Sequence, residues 1–133
     1  MKRLLIVTAI IELGAGVALA AFPSATVKLL LGSPIDTPAA VTLGRLAGAA
    51  LLALGAACWL AHYDEQGRAA RGVVSAMTLY NFGAVVVLGA AGVGARATGI
   101  ALWPAVALHA AMTIWCAVSL IRKPSLKAGP SQA

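Results

Sequence analysis

The chain has 133 residues, the size of one domain; 61% are hydrophobic, only 11% are charged, and the formal net charge is +6. Soluble domains run at about 45–50% apolar and about 25% charged, so there is too little polar surface here for a water-soluble globule. The basic residues stand at the ends of apolar runs and form no patch, which argues against nucleic acid and for a lipid bilayer with anionic head groups.

The apolar residues fall into four runs near the length of about 20 that a bilayer span requires. The first run covers about 4–22. It imitates a signal peptide, with Met1-Lys2-Arg3 as a charged start and Ala18-Leu19-Ala20 as an A-x-A cleavage pattern. Glu12 interrupts the apolar stretch, so the segment reads as a retained first span. Pro23 ends it, because proline has no amide donor and clashes with the preceding turn. Ser24 to Gly32 follows as either a short helix lying in the interface or an extension of span one. Ser24 would be its N-cap and Gly32 its stop, with Val27, Leu30 and Leu31 on one face and Lys28 reaching water.

Thr37 is placed to cap span two, with Pro38 at the first helical position. That span covers about 39–61, and the polar stretch from His62 to Arg71 separates it from span three, about 73–92. Gly94 to Gly99, with Arg96, make a turn, and span four covers about 100–121, with Pro104 in its first turn. Residues 122–133 read as a disordered cytoplasmic tail. The expected fold class is therefore all-α: one domain, 1–121, forming an integral membrane four-helix antiparallel bundle.

Lysine and arginine in the flanks orient the bundle. One side receives Lys2, Arg3, Arg68, Arg71, Arg122, Lys123 and Lys127; the other receives Lys28 and Arg96. The richer side belongs in the cytoplasm, which puts both termini inside and predicts a bacterial inner (cytoplasmic) membrane protein.

Polar residues inside spans are costly in hydrocarbon, and each is a binding candidate for that reason. They are Glu12, Arg45, Tyr80, Asn81 and His109. Helix rise puts Glu12 roughly 18 Å from the outer edge, Arg45 roughly 9 Å, Tyr80 and Asn81 roughly 17 Å, and His109 roughly 13 Å. All fall in one slab roughly 9 Å thick. The simplest arrangement is an interior Glu12–Arg45 ion pair, with Asn81, Tyr80 and His109 satisfying the remaining donors and acceptors. Such a network serves either helix packing alone or a proton or ligand site.

Other chemistry is thinly supported. Cys58 and Cys116 lie in apolar segments without a CxxC pattern and read as reduced, unpaired, buried residues. No metal site and no cofactor are expected. His62 and His109 stand at different depths, so they cannot share one haem within the chain. Gly44 and Gly48 make a GxxxG pair, and Gly14 and Ala18 share its spacing, which suits close helix packing within the bundle. Trp59, Tyr63, Trp103 and Trp115 suit interfacial belts.

Two resemblances place the chain. Ala9-Ile10-Ile11-Glu12-Leu13-Gly14 resembles the first helix of the small multidrug-resistance exporters, which have about this length, four spans and a mid-membrane glutamate. That resemblance implies proton-coupled transport through Glu12. It covers one span, and Leu79-Tyr80-Asn81-Phe82-Gly83 departs from the family's alternating small and aromatic pattern in span three. The strong charge bias also departs from the antiparallel pairing of those exporters. Gly44-Arg45-Leu46-Ala47-Gly48, Ala57-Cys58-Trp59-Leu60-Ala61 and Leu102-Trp103-Pro104-Ala105-Val106 resemble a group of uncharacterised four-helix bacterial inner-membrane proteins. The leading functional expectation is an accessory or binding subunit packing against a larger membrane partner or against itself. A small proton-coupled transporter using Glu12 is the alternative. So is a membrane enzyme acting on a lipid-soluble substrate, with Glu12 and His109 as its acid–base pair.

Overall fold

The structure, a computed structural model, describes residues 1–95 and 97–121. Those residues form five α-helices and no strand: α1 Lys2–Ala21, α2 Pro23–Leu31, α3 Pro38–Ala61, α4 Arg68–Val93 and α5 Leu102–Ile121. A single 3-10 turn, His62–Asp64, follows α3. Four of the helices, α1, α3, α4 and α5, are long and apolar enough to cross a membrane. The expected tail at 122–133, with Arg122, Lys123 and Lys127, and the turn residue Arg96 lie outside the described residues.

The segment after the first span is a helix of its own. Phe22 leaves helical geometry at φ −129°, ψ 57°, and Pro23 opens α2 at its first position, where a missing amide is harmless. The N-cap is therefore Phe22, two residues earlier than the expected Ser24, whose hydroxyl instead donates to the Ile35 carbonyl at 2.6 Å. Gly32 ends α2 in the left-handed region at φ 88°, with its amide donating to the Lys28 carbonyl. Thr37 caps α3 as its sequence suggests, its hydroxyl accepting from the Ala40 amide at 3.2 Å. Helix α4 starts at Arg68, five residues ahead of the expected 73. The Arg68–Arg71 turn is made of good helix formers and buries Ala70, so it continues the apolar helix beyond its apolar run. Helix α5 starts at Leu102, because the residues before it are bonded to α2: the Ala101 amide donates to the Leu29 carbonyl at 2.9 Å.

Helix α1 lies along α3 with almost no side chain between them. A methyl group added at Gly48 would stand 2.5 Å from the Ala20 nitrogen, and one at Gly16 would stand 2.9 Å from the Gly48 carbonyl. A methyl at Gly55 would stand 2.8 Å from Leu13. The contacts step down α3 as they step up α1, so the two helices run in opposite directions. Gly44 meets Pro23 and Ile35, whereas Gly14 faces open space. The glycine contact thus uses Gly16 and Gly48 and leaves the Gly14–Ala18 pattern unused.

Helices α4 and α5 also run oppositely: Arg71 reaches the Leu120 carbonyl, Asn81 meets His109, and Gly92 lies against Leu102 and Trp103. All four long helices contribute to one core near the start of α1. It contains Leu4, Leu5 and Ala9 from α1 and Cys58 from α3. Val74 and Met77 of α4 meet Met112 and Cys116 of α5 there. Both cysteines are free and fully buried, as the sequence suggests.

At this end the loop after α3 clamps the first helix. The Glu65 carboxylate accepts from the Lys2 amide and lies 3.3 Å from the Met1 α-amino group. The hydrogen bond donated by the Lys2 backbone N–H, with the nearby positive charges of the α-amino group and Lys2, holds the Glu65 carboxyl below the usual carboxylate range. A depressed folded-state pKa contributes stability above the unfolded-state value and loses it as pH falls through the folded-state value. Melting temperatures of wild type and Glu65→Gln should therefore differ at neutral pH and converge in acid; parallel curves would contradict the clamp. The glycine contact yields a second expectation. Gly48→Ala should cost about 1–3 kcal/mol by forcing the α1 and α3 backbones apart. Gly14→Ala, in open space, should gain about 0.5–1 kcal/mol from helix propensity. Thermal unfolding in detergent reads both, and equal behaviour of the two variants would refute the close contact.

Candidate functional site

Glu12 is 3% exposed, on the face of α1 that carries the core residues Leu5 and Ala9. Thr8, one turn earlier on the same face, is 2% exposed. Tyr80 of α4 and the Cys58 thiol of α3 lie within electrostatic reach of the Glu12 carboxyl. Among the described residues no cation stands within ion-pair distance of it.

The expected partner is elsewhere. Arg45 is exposed, and among the described residues it makes no ion pair or hydrogen bond. Interior pairing of Glu12 with Arg45 is overturned by register. Leu13 stands against Gly55, ten residues along α3 from Arg45, which is about 15 Å of helix rather than the roughly 9 Å inferred from depth alone. Arg45 also projects from a part of α3 whose inward positions, Gly44 and Gly48, are taken by Pro23 and Ala20.

The other three candidates do come together. Asn81, 1% exposed, donates from Nδ2 to the Met77 carbonyl one turn back, at 2.7 Å. That bond fixes the amide orientation, so Oδ1 is left to accept. His109 Nδ1 lies 2.8 Å from Asn81 Oδ1 and must carry the proton that the bond needs. In the neutral ring, Nε2 then keeps a free lone pair. The Tyr80 ring meets the His109 ring edge to face, with centroids 5.7 Å apart and an interplanar angle of 82°. Thr113 donates to the His109 carbonyl at 2.8 Å on the same turn of α5. The result is a polar cluster of Asn81, His109 and Tyr80 between α4 and α5, with Glu12 buried separately on the core face of α1.

Several members escaped the sequence reading. Thr8, Cys58, Thr78 and Cys116 were read as ordinary apolar-run residues or passed over, yet Thr8 and Cys58 flank Glu12, and the Thr78 hydroxyl adjoins the Cys116 thiol. The i, i+4 spacing of Thr8 and Glu12 was the one available signal, since it sets both on one helix face. His62, separate from this cluster, is buried beside the end of α3, with Nδ1 on the Trp59 carbonyl and its ring stacked near Trp59 and Tyr63.

No protein-family model, no curated protein and no solved structure matches this chain.

The cluster makes a quantitative expectation. Removing Asn81 leaves the His109 N–H without its acceptor in a low-dielectric interior, so Asn81→Leu should cost about 1–3 kcal/mol. A double-mutant cycle between Asn81 and His109 should give a coupling of about 1 kcal/mol, whereas one between Glu12 and Arg45 should give about zero. Unfolding measurements in detergent provide both cycles; a large Glu12–Arg45 coupling would contradict the register described above.

Proposed function

We propose that this chain is a small integral membrane protein, an antiparallel bundle of four transmembrane helices in a bacterial inner membrane with both termini cytoplasmic. Its role is that of an accessory or binding subunit, and its binding residues are Glu12, Tyr80, Asn81 and His109. The observation that carries this reading is Glu12 itself, 3% exposed on the core face of α1, with no cation within ion-pair distance among the described residues. An unpaired carboxylate in such a place costs several kcal/mol, while a carboxylic acid or a carboxylate neutralised by a bound ligand does not. An ion pair built only to specify packing would have had its arginine in contact.

The outward surface favours work beside a partner or a second copy. Helix α4 turns Leu79, Phe82, Val86 and Val87 outward, an apolar surface that another helix can cover. Arg45 within α3 aside, the described basic residues divide between the two ends in the way the proposed orientation requires. Lys2, Arg3, Arg68 and Arg71 lie at the end where α1 and α4 begin, and Lys28 lies on α2 at the other.

Proton-coupled transport is a second reading, favoured by one observation: two titratable groups, Glu12 of α1 and His109 of α5, lie within the spans, and His109 is held by Asn81. The resemblances to four-helix inner-membrane proteins and, over the first span, to small multidrug-resistance exporters are compatible with either reading.

Glu12→Gln tests the site, because glutamine mimics the protonated acid. The variant should fold with stability within about 1 kcal/mol of wild type. It should also lose the carboxylic acid band that infrared difference spectra between low and high pH assign to wild type. A severe loss of stability, or an unchanged difference spectrum, would refute the proton or ligand site. Labelling of a cysteine placed at position 28 from the outside alone supports the orientation; labelling from the cytoplasm alone overturns it.

A further inference from the structure

A groove of about 520 Å³ opens at the end of the molecule away from the Glu65 clamp, between α2 and the segment that leads into α5. Its floor is a fixed joint rather than a chance gap. The Ala101 amide donates to the Leu29 carbonyl at 2.9 Å, and Gly99 lies directly against the carbonyls of Leu29 and Leu30, where no side chain fits. Gly32, in its left-handed conformation at φ 88°, leaves room for the Thr98 hydroxyl, which a methyl group there would meet at 2.6 Å. Two glycines on opposite sides therefore lock α2 to the start of α5 and define the groove's shape.

The lining has two characters. Ala25, Leu29 and Ile100 make an apolar wall, and Ile100 is 82% exposed. Lys28 and Thr98 put an ammonium and a hydroxyl at the same opening. Lys28 has no ion-pair partner among the described residues. A cation beside an apolar wall, at the end of two spans, matches a ligand that carries a phosphate next to hydrocarbon.

We propose that this groove binds one anionic glycerophospholipid, its phosphate against Lys28 and Thr98 and an acyl chain along Leu29, Ile100 and Ala25. The proposal rests on the membrane-spanning reading given above. In the orientation proposed there, the groove opens at the non-cytoplasmic interface, at head-group level, where a snorkelling lysine meets lipid phosphate. Only a lipid supplies the charge and the chain together. Lipid bound here would brace the joint between α2 and α5.

The test uses the full chain, delipidated in detergent and titrated with phosphatidylglycerol, phosphatidylcholine or glycerol phosphate, with bound lipid counted by native mass spectrometry. Wild type should retain one phosphatidylglycerol in preference to phosphatidylcholine. Lys28→Gln should weaken it about fivefold, one lysine's attraction to an anionic lipid. Ala25→Trp, on an exposed helix face, should block the groove without changing charge and weaken binding comparably. Arg3→Gln, at the opposite end, should leave it unchanged. Circular dichroism checks that each variant keeps its helices. Equal loss in Arg3→Gln would mean general charge attraction, and glycerol phosphate binding as tightly as the lipid would mean a free phosphate ligand; either overturns the proposal. So does unchanged affinity in both Lys28→Gln and Ala25→Trp. Wild type that floats with phosphatidylcholine vesicles yet shows no phosphatidylglycerol preference sinks the lipid site alone. Failure to float with any vesicle sinks the membrane reading with it.

Discussion

The approach of α1 to α3 at Gly16 and Gly48 sets the register on which the rest of the molecule depends. With no side chain between the backbones, the two helices cannot slide by a turn without driving Leu13, Ala20 or Leu52 into one another. That register puts Leu13 against Gly55 and so carries Glu12 to the level of Cys58. It also strands Arg45 about 15 Å farther along α3. A backbone packing contact thus keeps the two charged residues apart.

The second helix pair supplies the polar partner surface. Asn81 is its pivot, because its amide is held by the Met77 carbonyl and in turn orients His109, against whose ring Tyr80 rests. Each bond removes one freedom from the next group, so the cluster is ordered without any ion pair. Low dielectric strengthens such a chain and makes any missing member costly. The two ends of the molecule are closed by different means. A carboxylate accepts from the first amide of α1 and pairs with the α-amino group at one end, and glycine-mediated backbone contact joins α2 to α5 at the other. Between them, Thr26 donates to the Ala18 and Phe22 carbonyls and so ties α2 to the end of α1.

Much of this was legible in the sequence. Apolar run length, Thr37-Pro38 at a helix start, Pro23 as a break and Gly32 as a stop each act through local backbone geometry, and each is found in place. The coincidence of Tyr80, Asn81 and His109 was legible as well, because helix rise sets them at similar heights on neighbouring helices, whereas the same reckoning failed for Glu12 and Arg45. Errors appeared where a local signal met a distant one. The start of α5 moved because Ala101 is bonded to α2, and the start of α4 moved because Ala70 belongs to the core.

Composition and run length therefore determined the helical class and the number of long helices, since these follow from solvent preference and from the rise of a single helix. Which face each residue turns inward was left to tertiary structure. Small residues occupy so many positions in this chain that several rotations of α3 look alike in the sequence. Only the fit of Gly16, Gly48 and Gly55 against particular neighbours separates them. That fit turned Glu12 into the interior and Arg45 to the surface, because backbone contact at van der Waals distance is a steeper constraint than an attraction that a long, flexible arginine can satisfy elsewhere.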